Sequence, residues 1–264
     1  MSDIYSCLRW RGFRVVAANL LENVVLPPRE EDQEEYYQLL KDYYFRRILA
    51  DLVQVKEVGP KEREALAERW SEEALTKYWP VYERLGLLIK EGGKSLFFKR
   101  HLDNFGGTFE WFLGRVLEKE FLAQVLWSVR LEGVSGGGDF DVLALFGEKL
   151  FYLEGKSSPP NNVPYAEIEK FLQREEELSC HCAIMISDTT LKIERNILDN
   201  LIYAIRKRLG MDKEKAHALI KDLNGNIYFI SPKIFILNTK RDIVANLDKV
   251  LSFFFSLSVP RFQP

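Results

Sequence analysis

Asp141, Glu154 and Lys156 are the residues of this 264-residue chain whose types and spacing could do chemistry. Asp141 lies in Gly136-Gly137-Gly138-Asp139-Phe140-Asp141-Val142-Leu143-Ala144-Leu145, and the other two in Leu150-Phe151-Tyr152-Leu153-Glu154-Gly155-Lys156. The two apolar runs flank Phe146-Gly147-Glu148-Lys149, and a Gly-X pair is a favoured two-residue hairpin loop, so the spacing predicts two strands joined by a tight turn. Two carboxylates and an ammonium at one end of such a hairpin could hold a divalent cation on oxygen ligands and turn water against a phosphodiester.

A loop at Gly147-Glu148 pairs Phe146 with Lys149. Stepping away from it sets Leu145 against Leu150, Leu143 against Tyr152, Asp141 against Glu154 and Asp139 against Lys156. Directly opposed Cβ atoms lie about 4.5–5.5 Å apart, and like charges there are destabilising unless something offsets them, which a cation would do. Alternation puts Glu154 and Lys156 on the face of Asp141, with Phe151, Leu153, Val142 and Ala144 on the other. Both faces then carry apolar groups, as in a central hairpin covered by helices on each side. A surface hairpin with solvated charge pairs would account for the charges, but not for their clustering at one end of an apolar sheet.

Asp141 with Glu154-Gly155-Lys156 resembles the core of the restriction-endonuclease-like nuclease superfamily, an Asp on one strand followed by Glu-x-Lys on the next. The resemblance covers roughly residues 105–240 and takes in a Glu-bearing helix before the strands, Gly106-Gly107-Thr108-Phe109-Glu110-Trp111-Phe112-Leu113, and a helix after the lysine, Tyr165 to Leu178. More narrowly, the segments around Glu110, Asp141 and Glu154 look like the nuclease domains of CRISPR ancillary nucleases. The chain departs from the pattern in having no proline before Asp141, and Gly155 where a larger apolar residue is usual.

The resemblance implies a mixed central sheet flanked by helices and an endonuclease that uses Mg²⁺ or Mn²⁺. Asp141, Glu154 and the main-chain carbonyl of Gly155 would be the metal ligands, and Asp141, Glu154, Lys156 and Glu110 the catalytic set. In the superfamily the Glu of the preceding helix approaches the metal; Glu110 is equally a helix-start carboxylate favoured by the dipole. The implied substrate is nucleic acid, DNA ahead of RNA, in defence, restriction or repair. A homodimer is implied because cutting both strands usually takes two sites. The alternative is a catalytically silent nucleic-acid-binding or protein-interaction protein on the same scaffold, against which the intact Asp141, Glu154 and Lys156 argue.

Asp139 reads either as a partner of Lys156 or as a polar residue ending the glycine turn. Lys170 and Gln173 on the following helix could reach a phosphate or a water, or simply face solvent. Cys180-His181-Cys182 has ligand types but no second cluster at zinc spacing, and reads as a strand start.

Composition fits an intracellular enzyme. Hydrophobic residues make up 47% of the chain, enough for a substantial core. The three cysteines, Cys7, Cys180 and Cys182, form no disulfide framework, and the first residues lack a signal-peptide pattern, so a cytoplasmic location is expected. The apolar run Leu251-Ser252-Phe253-Phe254-Phe255-Ser256-Leu257 is far shorter than the roughly 20 residues that span a bilayer. A net charge of −2 gives no global attraction to nucleic acid. Local clusters such as Arg195, Arg206, Lys207 and Arg208, or Lys90, Lys94, Lys99 and Arg100, would have to supply it, and each is equally a solvated face.

A winged-helix-like α+β domain is expected over residues 1–100 and a restriction-endonuclease-like α/β domain over 101–264. Residues 1–25 suggest a short helix or strand. Acidic residues 30–35 precede a helix from Tyr36 to Leu52. Gly59-Pro60 starts a second helix to Trp70, and Ser71 caps a third, reaching about Leu85 with Pro80 inside it. Leu87 to Phe98 reads as two strands around Gly92-Gly93. Three helices and a hairpin is winged-helix order, serving either to position DNA or to dimerise. Further on, a helix over 108–122, a strand over 125–131, the motif hairpin, a helix over 165–178, a strand over 182–187, a helix near 194–209, an apolar stretch 227–237 broken by Pro232 and a last helix near 241–257 complete an α/β pattern.

Overall fold

The computed structural model describes residues 3–92, 94–97, 102, 104–135 and 139–257. Gly136, Gly137 and Gly138 of the motif, and Lys99 and Arg100 of the basic hairpin cluster, lie outside the described residues. Internal contacts divide the chain into two units, Met1–Leu20 with Leu113–Pro264, and Leu21–Phe112.

The opening residues supply both a helix and a strand, α1 (Ile4–Trp10) and β1 (Arg14–Ala17). Asp3 starts α1, its carboxylate accepting the Ser6 N–H at 2.7 Å.

The Leu21–Phe112 unit runs α2 (Gln33–Leu40), α3 (Tyr43–Val55), β2 (Glu57–Val58), α4 (Pro60–Trp70), α5 (Glu72–Arg84), β3 (Leu88–Glu91) and β4 (Lys94–Phe97). The single helix expected from Tyr36 to Leu52 is two. Asp42 divides it, taking an extended backbone and accepting the N–H groups of Tyr44 and Phe45 at 2.9 and 3.3 Å, so that it caps a new helix instead of continuing the old one. The second and third expected helices are present as α4 and α5; Ser71 accepts the Ala74 N–H at 3.2 Å, and Pro80 lies inside α5 without ending it. The short β2 was not foreseen. It makes β4 the middle of a three-stranded sheet of order β2-β4-β3. Phe45 anchors the core here, 4.8 Å from the Tyr82 ring, and its carbonyl accepts the Tyr82 hydroxyl at 2.8 Å.

From the unit boundary the chain continues through α6 (Gly106–Phe121), β5 (Gln124–Glu132), β6 (Asp139–Phe146), β7 (Lys149–Lys156), α7 (Tyr165–Leu178), β8 (Cys182–Ser187), α8 (Asp199–Leu209), α9 (Lys213–Ala218), β9 (Ile220–Asp222), β10 (Ile227–Ile230), β11 (Ile234–Asn238) and α10 (Ile243–Leu257). A π turn at Glu194–Leu198 leads into α8. Among the described residues, eight strands form one mixed sheet of order β1-β5-β6-β7-β8-β11-β10-β9. The hairpin β6-β7 lies inside it, with β7 and β8 parallel. Its register follows the turn from Phe146↔Lys149 through Leu145↔Leu150 and Leu143↔Tyr152 to Val142↔Leu153 and ends there, short of the expected pairings of Asp141 with Glu154 and Asp139 with Lys156.

Helices cover both faces of this hairpin. Tyr152 packs on Phe171 of α7, with ring centroids 5.5 Å apart, and Phe151 on Phe254 of α10 at 4.9 Å. The alternation of β6 slips once. Phe140 and Leu143 both join the core on the Tyr152 side, where strict alternation would separate them. On β5 the same slip brings Leu126 and Val129 to one side. Both breaks fall between the pairs Trp127↔Val142 and Val129↔Phe140, where Ser128 takes φ +47° opposite Asp141. Among the described residues no helix is long and apolar enough to cross a membrane.

Candidate functional site

Glu154 is held at its place by strand periodicity and by α7. Tyr152, Glu154 and Lys156 alternate along β7 and so project together toward α7. That helix is seated by Ile168, Phe171 and Leu172, all buried, and the same stripe carries Glu167 and Arg174 seven residues apart, two turns along one side.

The result is a compact ionic cluster. Lys156 Nζ lies 2.7 Å from Glu154 Oε1 and 2.6 Å from Glu167 Oε2. Glu154 Oε2 faces Arg174 Nη1 at 3.1 Å and accepts the Tyr152 hydroxyl. Arg174 also stacks over the Phe140 ring, 5.3 Å from its centroid. Asp141 closes the cluster from β6, its Oδ2 accepting the Gly155 N–H at 2.8 Å. Three carboxylates thus meet two cations. Glu154 and Arg174 are each only 3% exposed, so neither is screened by bulk water.

Burial and neighbouring charges shift three of these groups. Burial alone would lower the Lys156 pKa, but Glu154, then Glu167 and Asp141, more than offset it and hold the ammonium above its ordinary value. Glu167 is pulled below the usual carboxylate range, chiefly by its hydrogen bond from Lys156. Burial first, and then the Glu154 charge, push the Tyr152 hydroxyl far up, which keeps it a donor.

The structure brings Asp141, Glu154, Gly155 and Lys156 together. It does not join Asp139 to Lys156: the exposed Asp139 accepts from Arg130 Nε on β5 at 3.0 Å, while Lys156 is turned to Glu154 and Glu167. Glu110 is a half-buried residue of α6 within the Leu21–Phe112 unit. Gln173 donates to Glu177 along its own helix at 3.1 Å, and Lys170 is exposed. At the start of β8, His181 Nδ1 accepts the Leu150 N–H at 3.0 Å, a structural use of that nitrogen. Arg208 of the basic α8 cluster is engaged by Glu169 and Glu176 at 2.9 and 3.1 Å.

Tyr152, Glu167 and Arg174 were not anticipated. The signal for the last two was present as opposite charges seven residues apart on the helix after the lysine. Tyr152 was legible as the residue two before Glu154. At the carboxyl ends of three parallel strands, Lys156, Ser187 and Asn238 also fall on one register line, the edge where ligands of α/β sheets bind.

The donor atoms that could hold a metal are all oxygens, which suits a hard divalent cation. No group of three or more His, Cys, Asp or Glu side chains fit for a metal occurs among the described residues. An ion here would therefore rest on two carboxylates, with a carbonyl, water or phosphate oxygens completing its shell.

No protein family model matches the chain, and no curated protein does. Among solved structures it is similar to protein VC1899 from Vibrio cholerae, with 13% identity over 97% of this chain and 62% of that one and a TM-score of 0.51. A second likeness is to Can2 from Sulfobacillus thermosulfidooxidans, solved in complex with cyclic tetra-adenylate, with 14% identity, 74% and 55% coverage and a TM-score of 0.45. The chain spans less than two thirds of the length of either neighbour. The likeness to the Vibrio protein is one of fold, and the second is too remote to bear on function.

Proposed function

We propose that this chain is a divalent-metal-dependent endonuclease on a restriction-endonuclease-like scaffold, hydrolysing phosphodiester bonds of DNA in defence, restriction or repair. The observation that carries the reading is the meeting of Asp141, Gly155, Glu154 and Lys156 at one end of a buried hairpin, with Asp141 bonded to the Gly155 N–H at 2.8 Å and Lys156 to Glu154 at 2.7 Å. The order α6, three antiparallel strands β5-β6-β7, α7 and a parallel β8 supports it.

Asp141, Glu154 and the Gly155 carbonyl would hold Mg²⁺ or Mn²⁺. Such an ion, when bound, supplies Lewis-acid polarisation of the phosphate and a more acidic water. The chain's own residues do the rest. Lys156, kept cationic by its carboxylate neighbours, donates hydrogen bonds that orient the attacking water and stabilises negative charge as it builds on the phosphoryl oxygens. Tyr152 and Arg174 fix the Glu154 carboxylate from behind, which spares reorganisation during the reaction.

In the Leu21–Phe112 unit, the run α3, β2, α4, α5, β3 and β4, with β2 beside β4, supports a winged-helix reading. Four of its cations are paired with carboxylates: Arg63 with Glu72, Arg84 with Glu35, Lys90 with Glu83 and Lys94 with Glu57. That favours a dimerisation role over phosphate contact for this unit.

One observation speaks for a silent scaffold instead, namely that both Glu154 oxygens already have cationic partners. Incubating supercoiled plasmid and Mn²⁺ with the protein, Asp141→Ala and Lys156→Ala separates the readings. Cutting by the unaltered chain alone is expected; equal cutting by all three, or by none, overturns the assignment.

A further inference from the structure

We propose that Lys156 and the divalent cation compete for Glu154, and that Glu167 is the positioning residue that draws Lys156 aside so that both can be held at once. This rests on the metal-site reading above. Glu154 Oε2 is committed to Arg174 and Tyr152, so a cation must approach through Oε1, where Lys156 Nζ already sits at 2.7 Å. An ammonium and a dication cannot crowd one carboxylate oxygen without strong repulsion. Lys156 has a second anchor, Glu167 Oε2 at 2.6 Å.

The two anchors differ in freedom. The Glu154 side chain is 3% exposed and locked on both oxygens, whereas that of Glu167 is 38% exposed on the first turn of α7. Glu167 can therefore follow the ammonium outward while Glu154 stays. Helix α7 braces both members of the pair, Glu167 holding Lys156 and Arg174 holding Glu154. Without Glu167, Lys156 would lean wholly on Glu154 and block the cation.

The test is Mn²⁺ titration of the full chain, followed by the electron paramagnetic resonance of the free ion, for the unaltered protein, Glu167→Gln, Lys156→Ala and the double variant. Glu167→Gln should weaken Mn²⁺ binding roughly tenfold, the scale of outer-shell effects on metal sites. Lys156→Ala should bind Mn²⁺ at least as tightly as the unaltered chain, and adding Glu167→Gln to it should change affinity by no more than about twofold. A general structural role for Glu167 would weaken binding equally with and without Lys156, and that result overturns the proposal. So does weaker Mn²⁺ binding by Lys156→Ala, which tests competition even if Glu167→Gln fails to fold. If the unaltered chain takes up no Mn²⁺, or Asp141→Ala binds it as tightly, the metal-site reading itself falls and this inference with it.

Discussion

The Asp141 carboxylate accepts the backbone N–H of Gly155 at 2.8 Å, fastening the acid of one strand to the residue between Glu154 and Lys156 on the next. The bond separates two roles of Asp141. Asp141→Asn keeps an acceptor oxygen and removes the charge, so it should lose less unfolding free energy in urea than Asp141→Ala. Asp141→Ala loses the bond as well and should cost about 1 kcal/mol. Both should lower Mn²⁺-dependent plasmid cutting on the order of a hundredfold or more. Full cutting by Asp141→Asn would remove the charge from the mechanism.

Tyr152→Phe keeps the ring between Phe140 and Phe171 and deletes only the hydroxyl given to Glu154. A buried carboxylate then has one donor fewer, and urea unfolding should show a loss of about 1–3 kcal/mol with an unchanged circular dichroism spectrum. A neutral substitution would show that Arg174 and Lys156 alone satisfy Glu154.

Acid should weaken the β7-β8 edge through His181. Burial, then the charges of Arg11 and Lys149, hold its pKa below the usual 6.5, and its Nδ1 must be unprotonated to accept the Leu150 N–H. The unfolded chain takes up this proton more readily than the folded one. The stabilisation is therefore complete above 6.5 and is lost as pH falls from there through the lower folded value. Urea midpoints taken at about pH 7.5 and about pH 5.5 should drop more for the unaltered chain than for His181→Gln, and parallel drops would rule the histidine out.

Asp42→Ala should cost about 0.5–2 kcal/mol by removing the cap that separates α2 from α3. Urea unfolding monitored by tyrosine and tryptophan fluorescence measures it. Unchanged stability would mean that the two helices merge at no cost once the cap is gone.

The sequence made the hairpin register legible because Gly147-Glu148 admits one pairing, and it placed α7 and β8 because apolar periodicity and strand composition are local properties. Asp42 was misjudged because apolar spacing runs on through Tyr43 to Leu52 while a single capping side chain resets the helix. The pairing of β1 with β5 joins residues more than a hundred positions apart, and nothing local in Arg14 to Ala17 announces it. The candidate site divides in the same way. Asp141, Glu154 and Lys156 are readable as types at a spacing, but the engagement of Glu154 by Arg174 depends on how α7 lies across the sheet.

Ser128 and Asp141 give a last consequence. Since β5 and β6 miscount together, their pairing survives while Phe140 is turned inward beneath the Arg174 guanidinium. The two irregularities are thus a matched set. Removing one residue from either strand alone would put its count out of step with the other, so that Trp127↔Val142 and Val129↔Phe140 could form together only around a bulge.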